Sequence, residues 1–183
     1  LTSESSTEAH LMLAGDIIEQ CDRLLGMINT VLDISEAEAG VAKLVIEEID
    51  IVPLVQDAVG LFLPMAEDKH ITALVQAPSD LRCYSDRRKL QRILGNLLDN
   101  AIKYSPEYPD ITVSTENRPG SVVLSVEDKG IGMSKSVQSK IFERFYRQAS
   151  GDVHDVKGFG LGLNYVRAIV DAHKGSITVT SEP

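Results

Sequence analysis

The stretch that most restricts how this chain can fold is residues 90–104, LQRILGNLLDNAIKY. Leu90, Ile93, Leu94, Leu97, Leu98 and Ala101 recur at steps of three and four, the period of a helix with one buried face. At about 100° per residue, Asn96, Asn100 and Lys103 fall within roughly a 60° arc on the opposite side. Two amides and an ammonium in a row can hold a phosphate group and its metal ion. Taken alone, the stretch reads more simply as the solvated side of an ordinary surface helix. Its neighbours in the sequence decide between the two.

Upstream, residues 1–9 are rich in Ser, Thr and Glu and read as a frayed start or loop. From about residue 10 to 38 a long helix is expected. Ala14, Ile17, Cys21, Leu24, Ile28 and Val31 alternate steps of three and four, and Leu11, Ile18, Leu25 and Leu32 form a second stripe at steps of seven. Two adjacent apolar stripes exceed what a lone helix can cover and suit a four-helix bundle, with partners from another copy or from other sequence. Gly40 is the expected helix stop and domain boundary, giving units of 1–40 and 41–183.

Beyond Gly40, strands are expected at 43–51, 71–76, 81–84, 111–115, 122–127 and 176–180. Helices are expected at 53–66, 137–145 and 163–172, the first with Pro53 in its opening turn and Pro64 near its end, the last stopping near Gly175. Ser85 or Asp86 would cap the central helix. Strands and helices interleave without regular βαβ repetition. The fold class is therefore α+β: an α/β sandwich, a mixed sheet covered on one face by helices, with an N-terminal bundle-type helix.

Three further stretches carry chemistry. In DKGIGM, at the end of an expected strand, Asp128 can accept a hydrogen bond from an exocyclic amine such as adenine's, and Gly130 and Gly132 let the backbone approach a flat ring. A tight turn with a solvated Asp is the simpler alternative for this segment alone. In GFGLGL, glycines leading into a helix suit a phosphate chain, though the spacing is neither a dinucleotide fingerprint nor a Walker loop; an unliganded glycine hinge is the alternative. Between them, in IFERFYR, Phe142 and Phe145 would anchor a polar segment while Arg144 or Arg147 reaches toward a nucleotide, with Lys157 as a further phosphate contact. A surface helix with solvated arginines is the alternative there.

Net charge decides which partners to set aside. At -9 it argues against nucleic acid or an anionic membrane as the main partner. Cys21 and Cys83 lack metal-ligand spacing and suit buried thiols in a reducing compartment. No apolar run reaches the ~18 residues of a membrane span, so this segment is expected to make no membrane contact and to be cytoplasmic.

In this order and spacing, NLLDNAIKYS (96–105), DKGIGM (128–133), IFERFYR (141–147) and GFGLGL (158–163) resemble the asparagine, first glycine, phenylalanine and second glycine boxes of the ATP-binding domain of bacterial sensor histidine kinases. RLLGMINTVLDISEAEAG (23–40) is similar to the second helix of that family's dimerisation domain. The superfamily, shared with gyrase-type and MutL-type ATPases, has the Bergerat-type sandwich fold.

The resemblance implies ATP and Mg2+ as cofactors. Asn100 would be the metal ligand. Asn96 would support the phosphates and a metal-bound water, Lys103 would contact phosphate, and Tyr104 would lie near adenine. Asp128 would bind the adenine amine, with Gly130 and Gly132 shaping that pocket. Gly158, Gly160, Leu161 and Gly162 would border the triphosphate, and 133–157 would form a lid. The superfamily's hydrolases carry a glutamate base four residues before the metal-binding asparagine. Here that position is Asn96, an amide that takes no proton near neutral pH. The resemblance thus implies phosphoryl transfer to a histidine, then to a response-regulator aspartate, in a protein that pairs with a second copy of itself.

His10, His70, His154 and His173 lack the acceptor context, with its following acid and proline, so the acceptor and the first dimerisation helix are expected upstream of Leu1. His173 reads instead as a favourable charge near a helix C-terminus. The family usually has one more strand after a segment like SITVTSEP (176–183), and that strand is expected to be absent from this sequence. Two alternatives stand beside this reading: a non-catalytic ATP-binding signalling module, and a related protein-serine kinase.

Overall fold

A computed structural model describes residues 2–68, 72–76, 81–105, 110–147 and 159–183. Helix α1 spans Thr2–Glu38, followed by β1 (Glu47–Asp50), α2 (Ile51–Asp68), β2 (Thr72–Gln76), β3 (Arg82–Ser85) and α3 (Arg87–Lys103). Strands β4 (Asp110–Arg118) and β5 (Ser121–Asp128), the short α4 (Lys135–Gln138) and α5 (Gly162–Ala172) complete the order. Strand β4 pairs in parallel with β2 and antiparallel with β5, giving a three-stranded mixed sheet in the order β2-β4-β5. Among the described residues β1 and β3 form a separate antiparallel pair rather than extending that sheet. The class is the expected α+β.

Helix α1 starts at Thr2, so the Ser/Thr/Glu run is helical rather than a loop. Such residues are only a few tenths of a kcal/mol weaker than the best helix formers, and a long helix carries them as its end. At the other end Gly40 adopts φ +71°. Its N–H donates to Ala37 O and the Val41 N–H to Glu36 O, the paired bonds of a Schellman stop.

Helix α2 buries Ile51, Leu54, Val55, Ala58 and Val59, a three-four pattern. It contains Pro64, as expected, and runs two residues beyond the expected end at 66, to Asp68. Proline lacks the N–H that the Gly60 carbonyl would accept, and exposed Gly60 can turn that oxygen to water.

Helix α3 has apolar packing on two flanks. Leu94, Leu98, Ala101 and Ile102 join a core with α2, Ile111 and Val113. Ile93 and Leu97 belong to a second cluster with Ile34 of α1 and Tyr165, Val166 and Ile169 of α5. The lower part of α1 therefore finds cover within its own chain. Further up, Leu11, Ile17, Ile18, Leu24, Leu25, Ile28 and Leu32 stay exposed.

Asp86 fixes where α3 begins. Its carboxylate accepts the Lys89 N–H (3.0 Å) as the helix cap and the Val45 N–H (2.9 Å) from the approach to β1. Burial opposes its ionisation, but those two hydrogen bonds and the Lys89 charge prevail, and the carboxyl is held below its ordinary range. The Asp86 N–H donates to His173 Nε2 (3.3 Å), and His173 Nδ1 bonds Ile169 O (2.8 Å). The His173 ring thereby ties the start of α3 to the end of α5.

Lys174, at φ +59°, takes the left-handed turn expected of Gly175. Its neighbour instead accommodates Val170, whose Cγ1 would lie 3.1 Å from a Cβ at position 175. Residues 176–183 form no strand ladder and run instead along the cavity described next.

Candidate nucleotide site

An open cavity of about 1130 Å³ lies against the polar face of α3. Asn96, Asp99, Asn100, Lys103 and Tyr104 supply its floor, Asp128, Gly130, Ile131 and Gly132 one end, and Tyr146, Arg147, Gly160, Leu161 and Gly162 the facing wall. The α3 side chains converge because the apolar stripe that buries Leu94, Leu98 and Ala101 turns the other face outward.

At the C-terminal end of α3, the Tyr104 carbonyl accepts the Ile131 N–H (3.1 Å), drawing the first glycine run onto the helix end. Asp128 is exposed, and its Oδ1 accepts the Gly130 N–H (2.9 Å), leaving the other oxygen for an outside donor. A Cβ at Gly130 would sit 2.7 Å from the Tyr104 carbonyl oxygen, so only glycine allows this approach. Gly132, at φ +66°, packs against Glu182 backbone, and the Met133 N–H donates to Ser181 Oγ (3.0 Å). Gln138 Nε2 donates both to Met133 O and to Ser181 O. The C-terminal segment is thus a buttress of this loop.

On the opposite wall, Asn96 donates from Nδ2 to Arg92 O (2.8 Å), which turns Oδ1 toward Gly162. Lys103 is ion-paired with Asp99 (2.5 Å), one turn earlier on α3. The sequence reading missed Asp99, although an acid four residues before a lysine is a readable helical pair.

IFERFYR is not a helix: α4 ends at Gln138 and turns follow. Phe145 does not anchor the segment through its ring, which is 62% exposed. With φ 61°, it is held instead through its backbone, its N–H donating to Gly160 O (3.0 Å). Phe142 lies under the Arg167 guanidinium (4.4 Å), and its carbonyl accepts from Asn164. Arg147 lines the cavity, whereas Arg144 does not and instead ion-pairs with Glu38 of α1. Lys157, Gly158, His70, His154 and residues 148–157 of the expected lid lie outside the described residues.

Helix α1 borders the same cavity through Arg23, Gly26, Met27 and Thr30, which the sequence reading left out of the site. Below them Asp33 binds Lys89 and Arg92 of α3, and Arg92 also bonds Thr30 and lies 4.2 Å over the Tyr165 ring. Among the described residues no helix is long and apolar enough to cross a membrane.

The sequence pattern of the family described as histidine kinase-, DNA gyrase B-, and HSP90-like ATPases matches residues 85–183. The sensor protein RprX of Bacteroides fragilis (strain YCH46) is 36% identical over 174 residues, covering 93% of this chain and 33% of the relative. The sensor-like histidine kinase SenX3 of Mycolicibacterium smegmatis is 30% identical over 183 residues, covering 100% of this chain and 48% of the relative. The chain thus spans a third to a half of the length of these curated relatives. Among solved structures, full-length ShkA in complex with AMPPNP has a TM-score of 0.74 at 29% identity, covering 86% of this chain and 33% of that one. The Acinetobacter baumannii histidine kinase AdeS, at 24% identity and a TM-score of 0.73 over 88% of this chain and 73% of that one, shares the fold.

Proposed function

The chain belongs to the family of histidine kinase-, DNA gyrase B-, and HSP90-like ATPases, and from that premise we propose that it is the catalytic part of a sensor histidine kinase. It binds ATP and passes the γ-phosphoryl to a histidine outside these residues. A response-regulator aspartate receives the group next. The observation that carries this reading is the convergence of Asn96, Asn100 and Lys103 with Asp128, Gly130, Gly160 and Gly162 around one cavity.

Adenine would lie at the Asp128 end, its exocyclic amine donating to the carboxylate oxygen that Gly130 leaves open, with Tyr104 beside it. The triphosphate would run back along α3, past Lys103 and Asn100 to Asn96. Gly160, Leu161 and Gly162 face it there, with Arg147 nearby and Lys157 and Gly158 assigned to the same wall. Arg144, held by Glu38, fits better as a strut between α1 and the phenylalanine box than as a nucleotide ligand.

The donors fit magnesium. Asn100 supplies one neutral amide oxygen while the neighbouring Asp99 is engaged by Lys103, and magnesium commonly takes one or two protein oxygens, completing its shell with phosphates and water. When bound, it would neutralise the charge that develops on the phosphates.

Transfer breaks the bond from the γ-phosphorus to the β,γ-bridging oxygen and forms a P–N bond to a neutral imidazole nitrogen, with ADP leaving. Such a nucleophile needs no strong base, and Asn96 offers none. The residues of this chain position the phosphates and balance their charge. Residues 1–40 are read as part of the dimerisation unit and 41–183 as the catalytic domain, in the cytoplasm. The exposed leucines and isoleucines of upper α1 support pairing with a second copy.

Asn100→Ala tests the site. It should abolish transfer from magnesium-ATP to a supplied histidine-containing acceptor domain, and an unchanged transfer rate would refute the assignment.

A further inference from the structure

We propose that Arg23, on helix α1, binds the terminal phosphate of the nucleotide, so that α1 completes the triphosphate site. The inference rests on the nucleotide reading above and adds a residue from outside the ATP-binding boxes. Three observations lead to it.

The first is direction. Asp33 contacts Lys89 and Arg92, and Thr30 contacts Arg92. Arg23 and Gly26 precede these on α1 and line the same cavity as Asn96 and Asn100, which follow Arg92 on α3. The two helices therefore run antiparallel along the cavity. Arg23 is seven residues before Thr30, about 10 Å further along the axis. That carries it past Arg92 and beside the asparagine turns. A nucleotide with its base at the Tyr104 end extends its phosphates toward this end of α3.

The second is availability. Arg92 is committed to Asp33, Thr30 and the Tyr165 ring, and Lys103 to Asp99. Among the described residues Arg23 has no carboxylate partner. Its guanidinium lies over the Phe159 ring, 4.8 Å from the centroid. A stack on a ring face leaves the in-plane N–H donors unspent, and a guanidinium presents them in a fork that matches phosphate oxygens.

The third is placement. Phe159 directly precedes Gly160, so the ring that seats Arg23 belongs to the glycine run facing the phosphates. Arg23 is only partly exposed, which limits the solvent screening of its charge.

The test compares a β,γ-imido analogue of ATP with ADP by calorimetry in magnesium buffer, using the chain as described. Arg23→Ala should weaken the triphosphate analogue by about tenfold or more, the scale of one lost charge-assisted hydrogen bond, while ADP stays within about twofold. Arg23→Lys should recover part of the loss. Phe159→Leu, which removes the stacking ring and keeps the cation, should retain the preference for triphosphate. Equal weakening of both nucleotides by Arg23→Ala would show a structural role and overturn the proposal. So would no change in either, or a loss in Phe159→Leu equal to that in Arg23→Ala. If the wild-type chain binds neither nucleotide, the nucleotide reading itself falls and this inference with it.

Discussion

Replacing Gly162 by alanine separates the stability of the site wall from its chemistry. A Cβ at this position would lie 2.7 Å from Asn96 Oδ1, about 0.7 Å inside ordinary van der Waals contact. The backbone of Gly162 needs no left-handed conformation, and it opens α5. Alanine there improves helix propensity by up to about 1 kcal/mol. The Asn96 amide must rotate away, giving up its hydrogen bond to Arg92 O, at a cost of about 1 kcal/mol. The two effects nearly cancel, so the melting temperature should move by no more than about 4 °C. Catalysis has no such compensation. A displacement approaching 1 Å in a group that positions the reacting phosphoryl can lower the rate by about 100-fold. Single-turnover transfer to an acceptor domain, run beside thermal unfolding, reads both quantities. Gly95→Ala, in α3 directly before Asn96, is the control, since its Cβ would meet only Phe62 at 3.9 Å. Wild-type transfer by Gly162→Ala would refute the role given to Asn96. A large fall in melting temperature would refute the claim that Gly162 serves the site rather than the fold.

Two predictions concern stability. Asp86→Ala removes the α3 cap and strands the Val45 N–H, which together should cost about 2–4 kcal/mol in urea unfolding; a loss below about 1 kcal/mol would show that water replaces the carboxylate. Because the folded-state pKa of Asp86 is depressed, its ionic contribution is present above the ordinary carboxylate range and is lost as pH falls through the lowered value. Tyr165 is fully buried, and burial pushes its phenol up to about 12. The unfolded phenol ionises near 10, so stability should fall by about 2–3 kcal/mol as pH rises from about 10 to 12. Tyr165→Phe should flatten that alkaline decline and cost little at neutral pH, because among the described residues the buried hydroxyl has no partner in good hydrogen-bonding geometry. An unchanged alkaline profile in the variant would rule out Tyr165 as its source.

What the sequence made legible was local. The period of Leu90, Ile93, Leu94, Leu97, Leu98 and Ala101 marks α3 and, by exclusion, its polar face, because helix geometry converts spacing directly into orientation. Gly40 as a stop and Asp86 as a cap are one-residue signals of the same kind. The paired strands β1 and β3 are separated in sequence by α2 and β2, and periodicity says nothing about which strands share a sheet. Phe145 and Lys174 misled because each holds a positive φ that long-range packing imposes on a residue that does not favour it. The contacts of α1 with the site were invisible for a further reason. Asp33 with Lys89, Glu38 with Arg144, and Arg23 with Phe159 are far apart in the chain, and no spacing rule links them. The four boxes themselves were readable because each is a short run whose glycines, amides and acid carry their chemistry with them.

The double packing of α3 has a consequence for how the molecule opens. A helix whose two flanks serve two cores cannot detach from one without exposing the other, so its amides should exchange with solvent only in the largest opening of the domain. The floor of the cavity is then its slowest part. Entry and release of a bound molecule fall to the surrounding loops, while the asparagine rungs keep their spacing through every cycle.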